Sequence, residues 1–287
     1  MPNIAIITDS TAQFPNPSFA GKDFVRLIPF DILLDGVIYK EGHDLKASDF
    51  PLNLKSNSDP KLIIPSAMEI ADLFSVLLRK YDELFVIVNS ADLTSVYQNA
   101  VDAVKIIQGG TAVLVINSMT ISSGLGILVQ TSAELISKGA VMADIERQIR
   151  QLIPHIYTLI CSPSLRYLHN NGVIESQQAL IGEYLNLHPI FSLEEGRPNA
   201  LYKVRNFRHA QDFYQEFIEE FDELTHISLL KGTNTQGIDN RLLRQFVQEN
   251  FPETPFSEHR LNSFLATLFG PKSLGLIVIE KPFTLSG

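Results

Sequence analysis

The chain has 287 residues and carries 32 acidic against 23 basic side chains, a formal net charge of -9, which argues against a surface built for nucleic acid or an anionic membrane. No apolar run reaches the roughly 18 residues of a membrane span. A single cysteine, Cys161, leaves no internal disulfide, and the opening lacks the basic segment and apolar core of a signal peptide, so a cytoplasmic protein of one large or two moderate domains is expected.

The first element expected is a strand over Asn3–Thr8, an apolar run that ends in Thr8-Asp9-Ser10-Thr11. Further strands are expected at Val25–Asp31, Leu84–Asn89 and Ala112–Asn117, the last two ending in Asn89-Ser90 and Asn117-Ser118. Helix-like stretches follow each of the three capped strands, so βα units with a parallel sheet are predicted. Ile70, Phe74, Leu77 and Leu78 fall near helical spacing within Met68–Lys80, and Leu125–Ser137 and Met142–Leu152 are also read as helices. Lys55–Pro60 reads as a loop, followed by the apolar run Leu62-Ile63-Ile64-Pro65-Ser66.

The pattern changes near Tyr157–Cys161. Pro189–Leu193 and Ala200–Val204 flank Glu194–Asn199, an expected antiparallel hairpin. A helix over Ala210–Glu223, a strand at Ile227–Leu230, a helix at Arg241–Glu249 and a strand at Leu274–Ile279 complete the reading. The fold class is thus α/β. An N-terminal, mostly parallel sheet flanked by helices spans residues 1–161, and a C-terminal α/β domain with antiparallel strands spans 162–287.

Ligands of open α/β sheets collect at the carboxyl ends of the strands. Here that edge offers hydroxyls and amides and little for proton transfer, which favours a binding protein over an enzyme. None of the seven histidines has the paired spacing of a zinc site, so neither metal nor cofactor is expected. Asp9 and Ser10 read first as helix caps, and with Ser122 they are expected to organise the strand edge rather than touch ligand. Ser122-Ser123-Gly124-Leu125-Gly126 reads as a helix N-terminus with free N–H groups, without the glycine of a nucleophile elbow or the lysine of a P-loop. Cys161 reads as a buried small hydrophobe. Lys203, Arg205, Arg208 and His209 form a basic cluster that is either a solvated helix entry or a docking site for an acidic partner.

An ordered set of motifs resembles the DegV family of bacterial fatty-acid-binding proteins along essentially the whole chain. The blocks are Ile7-Thr8-Asp9-Ser10-Thr11, Tyr39–Asp44, Ser90–Ala100, Asn117–Gly126, Leu185–Ile190, Lys203-Val204-Arg205 and Gly270–Gly275. The resemblance implies a two-domain DegV-like fold with an acyl chain in a tunnel between the domains. The ligand is then a long-chain fatty acid or other lipid, and some members present it to the catalytic subunit of a fatty acid kinase. Thr94 is the expected head-group donor, with Ser66 and Ser90 beside it, and Arg205 is an expected kinase contact.

The chain also departs from that pattern. Leu62-Ile63-Ile64-Pro65-Ser66 replaces a Thr-Ser-Gln-Pro-Ser block, Leu268 replaces a histidine, Lys272 a glycine, and Asn170-Asn171-Gly172-Val173 a basic turn. Leu62, Ile63 and Leu268 therefore bring aliphatic groups to the expected head-group end. Two readings compete with the carrier: a hydrolase or phosphotransferase using Ser10, Ser90 or Ser122 as nucleophile with Asp9 as orienting acid, and a protein-interaction member with a collapsed tunnel.

Overall fold

The computed structural model describes residues 3–41, 44–54, 60–107, 110–233 and 240–282. In chain order the first elements are β1 (Ile4–Asp9), β2 (Val25–Ile28), β3 (Asp31–Leu34), β4 (Val37–Lys40), β5 (Lys61–Ile63) and α1 (Ala67–Leu77). Next come β6 (Glu83–Val88), α2 (Val96–Ile106), β7 (Val113–Asn117), α3 (Ser122–Ser137), α4 (Met142–Leu152) and β8 (Ile156–Cys161). Then follow α5 (Leu165–Asn170), α6 (Ser176–Tyr184), β9 (His188–Glu194), β10 (Arg197–Val204) and α7 (Phe207–Glu219). The chain continues with β11 (Leu224–Lys231), α8 (Asn240–Asn250), β12 (Phe256–Arg260), α9 (Ser263–Phe269) and β13 (Leu274–Glu280). No helix among the described residues is long and apolar enough to cross a membrane.

Packing divides the chain into two compact units. The first holds residues 1–30, 63–154 and 195–197; the second holds 31–62, 155–194 and 198–287. In the first, a parallel sheet runs in the order β2-β1-β6-β7. Every residue of β1 is buried, as expected for a parallel strand covered on both faces. Helix α1 starts at a reciprocal cap: the Ser66 hydroxyl accepts from the Glu69 N–H, and the Glu69 carboxylate accepts from the Ser66 N–H.

In the second unit, six strands run in the order β10-β9-β8-β13-β11-β12. β13 is antiparallel to both β8 and β11, while the edge strand β12 is parallel to β11. Ala210, Tyr214 and Ile218, one turn apart on α7, are fully buried against this sheet with Leu229, Leu276 and Val278. The Tyr214 hydroxyl donates to the Leu274 carbonyl at 2.7 Å and accepts from the Cys161 N–H at 3.1 Å, joining α7 to β13 and β8. A small sheet, β4-β3-β5, completes the strands.

The structure differs from the sequence reading in four places. The strand expected over Val25–Asp31 is two strands in separate sheets, broken at Pro29, which has no N–H for a ladder. No α-helix follows β1; residues 10–24 return as turns and a 3₁₀ segment to the parallel neighbour β2. Helices α5, α6 and α9 were not legible: α9 is buried on every side, so its apolar run carries no helical period, and α6 exposes Leu180, Ile181 and Tyr184. The division into units differs from a single boundary near Ser162, because β8 pairs with β9 and β13 and residues 31–62 group with the second unit. The Lys55–Asp59 part of the expected loop, and Gly42 and His43 of the Tyr39–Asp44 block, lie outside the described residues.

Candidate ligand-binding site

The parallel register of β1, β6 and β7 brings their carboxyl ends side by side. Asp9 is fully buried there. Its carboxylate accepts the Asn89 backbone N–H at 2.6 Å, the Asn89 side-chain amide at 3.1 Å and the Thr11 N–H at 2.9 Å. Burial raises its pKa, against the opposing pull of these donors. The helix-cap reading of Asp9 is thereby replaced: it organises two strand ends and a turn, and no helix begins beside it.

The relay continues outward. Thr94, half-buried, donates its hydroxyl proton to the Asn89 side-chain oxygen at 2.9 Å and accepts from the Val96 N–H at 3.4 Å, where α2 begins. On β7, the Asn117 side-chain oxygen accepts the N–H groups of Ala91 and Met119, both at 3.1 Å. Ser90 is buried, and its hydroxyl donates to the Gly196 carbonyl at 2.6 Å. Gly196 lies in the two-residue turn between β9 and β10, where Glu195 and Gly196 have φ of 50° and 87°, the tight hairpin geometry that favours glycine. Arg197 then pairs with Asp92 at 3.1 Å.

Thr94 and Ser90 thus share one edge of the first unit. Ser66 lies in that unit as well, exposed at the start of α1, with its hydroxyl engaged by Glu69; those hydrogen bonds lower the Glu69 pKa. The preceding Pro65 carbonyl accepts from the Asn99 side chain on α2 at 2.8 Å. Ile63 is exposed at the end of β5, in the first unit. Leu62, half-buried on β5, and Leu268, buried in α9, belong to the second unit. Arg205 is exposed between β10 and α7, with Lys203, Arg208 and His209 also exposed. The Asn89 and Asn117 amides and the Gly196 turn were not singled out as site residues. The position of each asparagine at the end of an apolar run was a usable signal; the Gly196 contact, 106 residues from Ser90, had none.

The α3 N-terminus is not the open anion cradle expected from Ser122–Gly126. All five residues are buried, the Ser122 carbonyl accepts the Gln13 N–H, and a Cβ on Gly126 would lie 2.0 Å from the Gln13 carbonyl oxygen. Among the described residues the Ser90 and Ser122 hydroxyls give their protons to the Gly196 carbonyl and the Gln13 side-chain oxygen, acceptors that are not general bases. Burial pushes the Cys161 thiol up to about 12, so it is protonated at neutral pH. Among the described residues no group of three or more His, Cys, Asp or Glu side chains is placed to hold a metal ion. The edge can hydrogen-bond a polar head, and the buried Asp9 carboxylate is occupied in positioning Asn89.

A sequence profile described as "Uncharacterised protein, DegV family" matches residues 3–281. A DegV domain-containing protein of Caldanaerobacter subterraneus subsp. tengcongensis is 26% identical, covering 98% of this chain and all of that protein. The structure resembles a fatty-acid-binding DegV family protein of Thermus thermophilus, with a TM-score of 0.82 and 23% identity over 97% of this chain and 100% of that one. It also resembles a DegV family protein of Eubacterium eligens loaded with heptadecanoic acid, with a TM-score of 0.82 and 16% identity over 97% of this chain and 100% of that one.

Proposed function

The chain belongs to the DegV family, and from that premise we propose that it binds a long-chain fatty acid or related lipid and acts as a carrier. The observation that carries the reading is the similarity, along nearly the whole chain, to DegV proteins described as fatty-acid-binding or loaded with a fatty acid. The strand edge supports it: a hydrogen-bond relay ends in the half-buried Thr94, and the Ser90 and Ser122 protons go to the Gly196 carbonyl and the Gln13 side-chain oxygen. Catalysis, where it follows, is supplied by a partner, a fatty acid kinase catalytic subunit meeting the exposed Arg205, and the complex works in the cytoplasm.

Thr94 is the head-group donor, with Ser66 and Ser90 as its neighbours. A carboxylate there competes with the Asn89 oxygen for the Thr94 proton, whereas Leu62, Ile63 and Leu268 offer only aliphatic contact. Burying about 14 methylenes contributes on the order of 10 kcal/mol, and one lost hydrogen bond to a charged head costs about 1.5–3 kcal/mol. Lipid binding therefore survives the aliphatic substitutions, and a neutral acid or ester becomes a competitive ligand, since a carboxylate with few donors has a raised pKa.

Native mass spectrometry of the purified protein, followed by solvent extraction, tests the reading. A stoichiometric fatty acid or ester is expected. A protein that carries nothing and takes up nothing from a mixture of free acids and esters would overturn it.

A further inference from the structure

Two cavities among the described residues of the second unit differ in their chemistry. One, of about 370 Å³, has Arg166, Lys272, Asn53, Asn186 and Glu183 in its wall. The other, of about 280 Å³, is mainly aliphatic and aromatic, and Leu187 belongs to both walls. Arg166 is held by Glu183 at 3.1 Å. Lys272 has only the Asn53 side-chain oxygen at 3.4 Å and no carboxylate partner among the described residues. Two cations thus line this solvent-open cavity with Glu183, in a chain whose net charge is -9, and the Asp35 carboxylate lies near enough to act on Tyr167 of the same wall. The Lys272 charge is felt locally: the pKa of His188 is lowered, first by burial and then by Lys272.

We propose that this cavity is an oxyanion site, in which Lys272 and Arg166 bind a phosphate or carboxylate group and the Asn53 and Asn186 amides donate to it. Lysine supplies a point charge and arginine a planar fork, the pairing that phosphate and carboxylate groups favour. Glu183 competes with the ligand for Arg166, so affinity is set by how readily that ion pair opens. The site goes beyond the fatty-acid reading, because inorganic phosphate tests it without any acyl chain.

The experiment is a heteronuclear NMR titration of the full chain at low ionic strength, once with inorganic phosphate and once with dodecyl phosphate. Saturable shifts of the Asn53 and Asn186 side-chain amides are expected. Lys272→Gln weakens binding by about tenfold, the loss of one charge-assisted hydrogen bond. Glu183→Gln tightens it by releasing Arg166, a gain that a purely structural role for Glu183 would not produce. Tighter binding of dodecyl phosphate supports the site as the receptor of a lipid head whose chain passes Leu187; equal affinities support it as the receptor of a soluble phosphate or carboxylate metabolite. No saturable shift with either ligand, or an affinity unchanged by Lys272→Gln, would overturn the proposal.

Discussion

Asp9 and Asn89, 80 residues apart, are joined twice: one carboxylate oxygen accepts both the Asn89 backbone N–H at 2.6 Å and its side-chain amide at 3.1 Å. Because the amide is held, its oxygen is turned to accept the Thr94 hydroxyl. A buried carboxylate thereby sets the orientation of a half-buried hydroxyl through one intervening side chain. Asp9→Ala leaves the buried N–H groups of Asn89 and Thr11 without this acceptor. A loss of about 2–4 kcal/mol is expected, measured by urea unfolding, together with weaker lipid uptake as Thr94 loses its fixed partner.

The hairpin turn supplies a second test. Gly196 and Gly36 both have positive φ, 87° and 80°. A Cβ on Gly196 would lie 2.4 Å from the Ser90 hydroxyl oxygen, while one on Gly36 would meet nothing within 4 Å. Gly36→Ala should cost about 1 kcal/mol, the left-handed penalty alone. Gly196→Ala should cost measurably more in the same unfolding assay, because it also displaces the Ser90–Gly196 hydrogen bond.

Stability should fall in mild acid through His226 and His259. Both approach the Ser257 hydroxyl, at 2.9 and 3.1 Å. Burial, and then the neighbouring His259, lowers the His226 pKa from 6.5 to about 4, and burial lowers that of His259. The unfolded chain binds the proton first, so the stabilisation is complete above pH 6.5 and is lost as pH falls towards about 4. For His226 the slope approaches about 1.4 kcal/mol per pH unit within that window. His226→Gln should flatten the profile of unfolding free energy between those limits; an unchanged slope would exclude His226 as its source.

Head-group preference should respond to Leu62. Leu62→Thr restores a hydroxyl at the position where the related motif carries one. Competition between a free fatty acid and its methyl ester should shift about tenfold towards the acid, the equivalent of one hydrogen bond to a charged group. Thr94→Ala should shift it the other way.

The sequence by itself determined the α/β class, the apolar strands ending in Asp9, Asn89 and Asn117, and the family, because burial leaves a local period and the motifs keep their order along the chain. It could not show how the polar groups were used. Ser66 is engaged by Glu69 three residues on, a capping pattern present locally in the sequence. Ser90 meets Gly196, and the Thr94 proton is directed to an amide held by Asp9. These partners are chosen by strand register and by where a hairpin turn lands. Asn53, Arg166 and Lys272 likewise lie far apart in the chain and share a cavity wall only after folding. Strand formation depends on neighbours that the local pattern records, whereas the direction of a hydrogen bond depends on groups many tens of residues away, and only the tertiary structure decided those.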